Sequence, residues 1–240
     1  MTTPNRAALS SIVRKMVTAV TGLAIAFFAI THLLGNLTLY SRDPDLFNGY
    51  AFKLESYGFL LKLAEIGLFF FIIVHAINGM ILKYGNRKAR PIAYGMWRSK
   101  TGAIPSHPEH GAKIDTPSNL SSRTMFISGL LLLLFLAVHV YQFRFGPGIE
   151  AGYLTHIHGE DARDLHRLAL EVFASPLNVG FYVVCMLFLG SHLKHGVWSG
   201  LHTLGLTRPH LSRALRGVSA VLGIALAAGF LGIPLWIYFR

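Results

Sequence analysis

Cysteine is nearly absent from this 240-residue chain. Its single thiol, Cys185, lies within an apolar run, which excludes an internal disulfide framework and any CxxCH element. Charge is scarce at 14% of residues, and acidic side chains are the rarer kind, 11 Asp and Glu against 22 Lys and Arg. The resulting net charge of +11 would suit nucleic acid. Yet the basic residues gather in particular segments between apolar runs, a pattern that membrane topology explains and nucleic-acid binding does not. A cleavable leader is not expected either: the hydrophobic stretch after MTTPNRAALSSIVRK is long enough to be a retained first helix. What remains is 52% hydrophobic with a mean hydropathy of +0.48, the composition of a polytopic membrane protein.

Five stretches have the roughly 20 apolar residues that crossing a bilayer requires. They run at about 11–36, 57–83, 124–143, 176–198 and 217–239, so the expected fold is all-α, a five-helix transmembrane bundle forming one domain over residues 1–240. The fifth carries Gly223, Ala225, Ala227, Ala228 and Gly229, small residues that suit close helix packing. Between the second and third lies a basic, Pro- and Gly-containing segment, Tyr84 to Arg123, which reads as an irregular extramembrane loop. Residues 146–175 form a polar loop in which HRLALEVF is expected to be a short amphipathic helix at the interface. Lys and Arg concentrate before the first span, between Lys83 and Arg123, and between Lys194 and Arg216, whereas the opposite side has only Arg42, Lys53, Lys62, Arg144, Arg163, Arg167 and Arg240. The positive-inside rule therefore puts the N-terminus in the cytoplasm and the C-terminus outside.

Each of the first four spans holds a histidine at depth: His32, His75, His139 and His192. At about 1.5 Å per residue, His32 and His139 lie roughly 25 Å from the inner boundary, while His75 lies about 12 Å from it and His192 at a similar inner level. A lone intramembrane histidine is usually a hydrogen-bonded packing residue. Four of them at two matched depths are what bis-histidine ligation of two stacked b haems requires, each iron taking one imidazole on either face. Without CxxCH, such haems are held non-covalently.

Other residues leave alternatives open. His195 is one helical turn beyond His192 and could compete as the ligand. Glu65, in the outer half of the second span, is a proton relay or quinone contact, or else it snorkels to the interface. The run HIHGEDARDLH, from His156 to His166, reads either as a solvated acidic loop or as a metal cluster with an ill-defined ligand set.

The elements SSIVRKMVTAVTG...HLLGN, HAINGMILKYGNRKARPIAYG, SGLLLLLFLAVHVYQFRFG and SHLKHGVWSGLHTLGL resemble the five-helix, dihaem cytochrome b subunit (b558 type) of succinate:quinone oxidoreductases and quinol:fumarate reductases. The resemblance covers nearly the whole chain. It implies that His32 and His139 hold the outer haem and His75 and His192 the inner one. It further implies a bacterial cytoplasmic membrane, menaquinone as the quinone, and a flavoprotein subunit with covalent FAD and an iron-sulfur subunit docked on the cytoplasmic face. Some members carry a glutamate for proton movement two residues before the fourth ligand, where this chain has Gly190. Thr18 and Lys83, near the inner level, are expected to meet propionates of the inner haem. The expected function is membrane anchor and electron carrier, the quinone-reacting subunit rather than the site of succinate chemistry. A stand-alone transmembrane haem reductase of the cytochrome b561 kind is the alternative, and a proton-coupled transporter is a further rival from another class.

Overall fold

The computed structural model describes residues 10–88 and 120–240. Most of the basic loop from Tyr84 to Arg123 lies outside the described residues.

Helix α1 (Ser11–Asn36) starts where the Ser10 hydroxyl accepts from the Val13 amide, satisfying one of the donors a helix start leaves open. A single 3₁₀ turn, Leu37–Tyr40, leads to α2 (Pro44–Glu55), capped by Asp43 with proline in its first turn. Next come α3 (Phe59–Lys88) and α4 (Leu120–Phe143). A hairpin of β1 (Leu154–Ile157) and β2 (Glu160–Arg163) pairs Leu154 with Arg163 and Ile157 with Glu160. The chain closes with α5 (Leu165–Phe173), α6 (Pro176–Thr203) and α7 (Ser212–Phe239).

Five of these helices, α1, α3, α4, α6 and α7, are long and apolar enough to cross a membrane. Helix α6 is the hub, packed against α1, α4 and α7, while α3 leans on α1. Phe27, Leu34, Phe69 and Ile224 point outward, each more than 60% exposed, as lipid-facing side chains must be when no second protein layer covers them. Inside, Leu193, Val197 and Leu226 join α6 to α7.

Helices α6 and α7 approach each other closely. A Cβ on Gly223 would stand 2.7 Å from the Gly190 carbonyl oxygen, and one on Gly190 would stand 2.8 Å from the Ala227 Cβ. Backbone meets backbone here, the close packing that small residues allow between membrane helices. At Gly190 there is no room for a glutamate.

One end of the bundle carries a cap made of the 3₁₀ turn, α2, the hairpin and α5; the other end carries the α6–α7 connection. Arg163 ties the cap to α4, donating to the carbonyls of Phe143 (2.9 Å), Gly146 (3.0 Å) and Pro147 (2.9 Å) and so satisfying acceptors that the helix end leaves open. Asn48, 1% exposed, donates to Asp164 and accepts from the His166 amide, both at 2.9 Å, which joins α2 to the start of α5.

Two expectations shift. The helices overrun the hydropathic limits, α6 to Thr203 rather than 198 and α7 from Ser212 rather than 217, because hydropathy marks the bilayer-crossing part while the hydrogen-bonded ladder continues until a breaker such as Gly205 stops it. Pro44, beyond the first span, opens α2. Helix α5 does form, but Leu168, Ala169 and Phe173 are buried against the bundle, so it is part of the packed cap rather than a float at the interface.

Candidate functional site

The structure brings the four intramembrane histidines together as two pairs. At the cap end, His32 of α1 faces His139 of α4, with ring centres 5.9 Å apart and planes at 83°. Towards the other end, His75 of α3 faces His192 of α6 at 6.4 Å and 65°. The pairs occupy different levels: His75 lies against Gly22 of α1, ten residues before His32, which is roughly 15 Å along a helix.

Glycine admits the ring at that lower level. A Cβ on Gly22 would come within 2.8 Å of the His75 Cε1, and one on Gly129 of α4 within 3.5 Å of the His192 Cε1. At the cap-end level the walls are aromatic. Phe28 stacks on His32, Phe135 stacks on His139, and Phe143 and Phe230 close the sides.

The hydrogen bonds settle which ring nitrogen is free. His75 Nδ1 lies 3.0 Å from the carbonyl of Thr18, which can only accept, and 3.4 Å from the Thr21 hydroxyl, whose own proton goes to Val17. His192 Nδ1 lies 3.0 Å from the Ser128 hydroxyl, which donates to Met125 and so has a lone pair to offer. His139 Nδ1 lies 3.2 Å from the Tyr182 hydroxyl, which donates to Gln142 at 2.8 Å. His75 therefore carries its proton on Nδ1, facing a carbonyl that can only accept, and on all three rings Nε2 has no hydrogen-bond partner among the described residues. His32 Nδ1 is 3.4 Å from the amide of Asn36, whose nitrogen bonds the His32 carbonyl at 2.7 Å.

Such an arrangement fits a shared metal. Metal–imidazole bonds are about 2 Å long and a ring centre lies about 1 Å beyond the bonded nitrogen, so two imidazoles on opposite faces of one iron have centres roughly 6 Å apart. Both pairs meet that spacing, and a ligating histidine ordinarily has its other N–H held as here. Among the described residues no three His, Cys, Asp or Glu side chains converge on one point. Two imidazoles at one level match the donor number that a porphyrin iron, with four nitrogens of its own, leaves for a protein to fill.

The chain is similar to a succinate dehydrogenase cytochrome b558 subunit. The relative is from Bacillus subtilis (strain 168), 23% identical over 208 residues that cover 85% of this chain and 86% of that protein. No family model and no solved structure matches. The five apolar helices and the similarity to the Bacillus subtilis subunit together support a multi-pass membrane protein.

The remaining candidates are dispersed. Thr18 turns its hydroxyl to the Arg14 carbonyl at 2.8 Å, so what it gives this site is its own carbonyl, held to His75. Lys83 places Nζ 5.8 Å over the Phe126 ring. Glu65 pairs with Arg144 at 3.3 Å, a half-exposed contact between α3 and the end of α4. His195 makes no ring contact or hydrogen bond among the described residues. In the HIHGEDARDLH run the histidines diverge: His156 pairs with Asp161 at 3.0 Å on the exposed hairpin, His158 sits at the turn with φ 54°, and His166 is buried under the cap. Tyr182, Gln142, Ser128 and Thr21 are the contributors that sequence reasoning missed. The available signal was polar side chains inside apolar spans at the histidine levels.

Proposed function

We propose that this chain is the membrane-anchor cytochrome b subunit of a succinate:quinone oxidoreductase, one transmembrane domain that carries electrons between an iron-sulfur subunit and a membrane quinone through two bis-histidine b haems. The observation that carries the reading is the two histidine pairs at 5.9 and 6.4 Å with three of the four Nδ1 atoms hydrogen-bonded. Its second support is the similarity to a succinate dehydrogenase cytochrome b558 subunit along most of both chains.

The haems, when bound, supply one-electron carriers stacked across the bilayer. The chain's own residues hold and insulate them. His32 and His139 ligate the outer iron from α1 and α4, and His75 and His192 the inner one from α3 and α6. Gly22 and Gly129 let the inner imidazoles approach neighbouring helices closely, and Phe28, Phe135 and Phe230 keep the outer level dry. Lys83, with the basic segment from Tyr84 to Arg123, faces the cytoplasmic side, where it meets the inner propionates and the flavoprotein and iron-sulfur subunits, while Thr18 serves the inner level through its carbonyl on His75. Menaquinone reacts near the outer haem, because two stacked carriers serve a reaction on the far side of the bilayer. Glu65, beside Arg144 at the cap end, is the contact offered to it. The bundle lies in the bacterial cytoplasmic membrane with the cap outside.

An absorption spectrum with a haem assay tests this directly: the purified chain should hold two b haems and co-purify with the two soluble subunits. Two haems without those subunits would favour the stand-alone b561-like reductase, and a colourless protein would end both readings.

A further inference from the structure

The hydroxyl that holds His139 is itself the second member of a chain of hydrogen bonds with only one possible direction. At its far end the Val172 carbonyl, which can only accept, receives the Asn178 amide nitrogen at 2.8 Å. That fixes the Asn178 amide, so its oxygen accepts from Gln142 Nε2 at 3.3 Å. The Gln142 oxygen is then turned to Tyr182, whose hydroxyl donates to it at 2.8 Å and has its lone pair left for His139 Nδ1–H at 3.2 Å. One backbone carbonyl on α5 thus dictates, through three side chains, which nitrogen of His139 is protonated. Tyr182 is 5% exposed and wedged edge-on between Phe135 and Phe173, so its hydroxyl has no room to turn elsewhere. The pair at the other level has nothing comparable: His75 rests on a backbone carbonyl and His192 on a single serine.

We propose that Tyr182, Gln142 and Asn178 are positioning residues for the outer haem, locking His139 with Nε2 toward the iron and setting that haem's midpoint potential independently of the inner one. The inference rests on the haem ligation argued above. An acceptor on Nδ1–H makes the imidazole a stronger donor, which favours ferric iron and lowers the potential; removing the acceptor raises it.

The test is a redox titration of the full chain in its complex, followed optically and by low-temperature electron paramagnetic resonance. Tyr182→Phe keeps the ring and deletes the hydroxyl: it should shift the outer haem's potential upward and alter its low-spin signal, leaving the inner haem unchanged. Ser128→Ala should do the reverse, moving the inner haem alone. Gln142→Leu leaves the Tyr182 ring in place and should give a smaller upward shift of the outer haem, and it decides the matter if Tyr182→Phe fails to assemble. An outer potential and signal unchanged in every assembled variant of the relay, or an equal shift of both haems, overturns the inference while the ligation stands. A wild-type protein without two haems overturns the ligation itself.

Discussion

A histidine in hydrocarbon must be satisfied on both ring nitrogens, and that requirement makes the two levels of this bundle specific at the residue scale. Glycine at position 22 is one condition, since any side chain there collides with the His75 ring. Gly22→Val should displace His75 and cost about 2 kcal/mol through overpacking. It should lower the thermal stability of the protein and deplete the inner haem, with the outer haem retained. Outside the membrane, His166 is a residue of a different kind. It is 7% exposed and its Nε2 has no partner among the described residues. Burial holds its imidazole below the ordinary value, Asp164 pulls the other way, Arg240 adds to burial and Asp43 opposes it. The folded chain therefore prefers the neutral ring. That contribution is complete above about pH 6.5 and fades as pH falls below it, where the unfolded chain takes up the proton more readily. Proteolysis of the cap as a function of pH should show loosening below about pH 6.5 in the natural protein and a flatter profile in His166→Phe. The four deep histidines were legible in the sequence because polar side chains stand out against long apolar runs. Tyr182, Gln142 and Ser128 were not, since their meaning lies in partners some 40 to 64 positions away.

At the scale of elements, two contacts hold the architecture, and each has a measurable consequence. The α6–α7 crossing depends on Gly190 and Gly223, so Gly223→Leu should drive the helices apart, cost about 3 kcal/mol and reduce the yield of folded protein extracted in mild detergent. The cap depends on Arg163, whose guanidinium serves three carbonyls at the end of α4. Arg163→Met keeps much of the bulk and removes the donors. A loss of about 2 kcal/mol and faster protease cleavage between residues 146 and 164 are expected, with the helices themselves intact by circular dichroism. Apolar length and charge-poor composition made all five crossing helices readable in advance. The cap elements were hidden for a physical reason: α2 and the hairpin are short, polar on one side and stabilised by distant partners such as Asn48 with Asp164, so neither leaves a long periodic trace.

For the whole molecule, the account is that one chain holds two carriers at two depths, each shared by a different pair of helices, α1 with α4 and α3 with α6. Under that reading haem retention becomes a report on which helices are partners. The measurement that tests it most directly is haem content and reduced-minus-oxidised spectrum in four single variants, His32→Ala, His139→Ala, His75→Ala and His192→Ala, purified with the complex. The first two should lose the same spectral component and the last two the other, each protein keeping one haem where the natural chain holds two. Loss of one shared component from His32→Ala and His75→Ala, or two intact haems in His192→Ala with His195 left to serve in its place, would contradict the pairing.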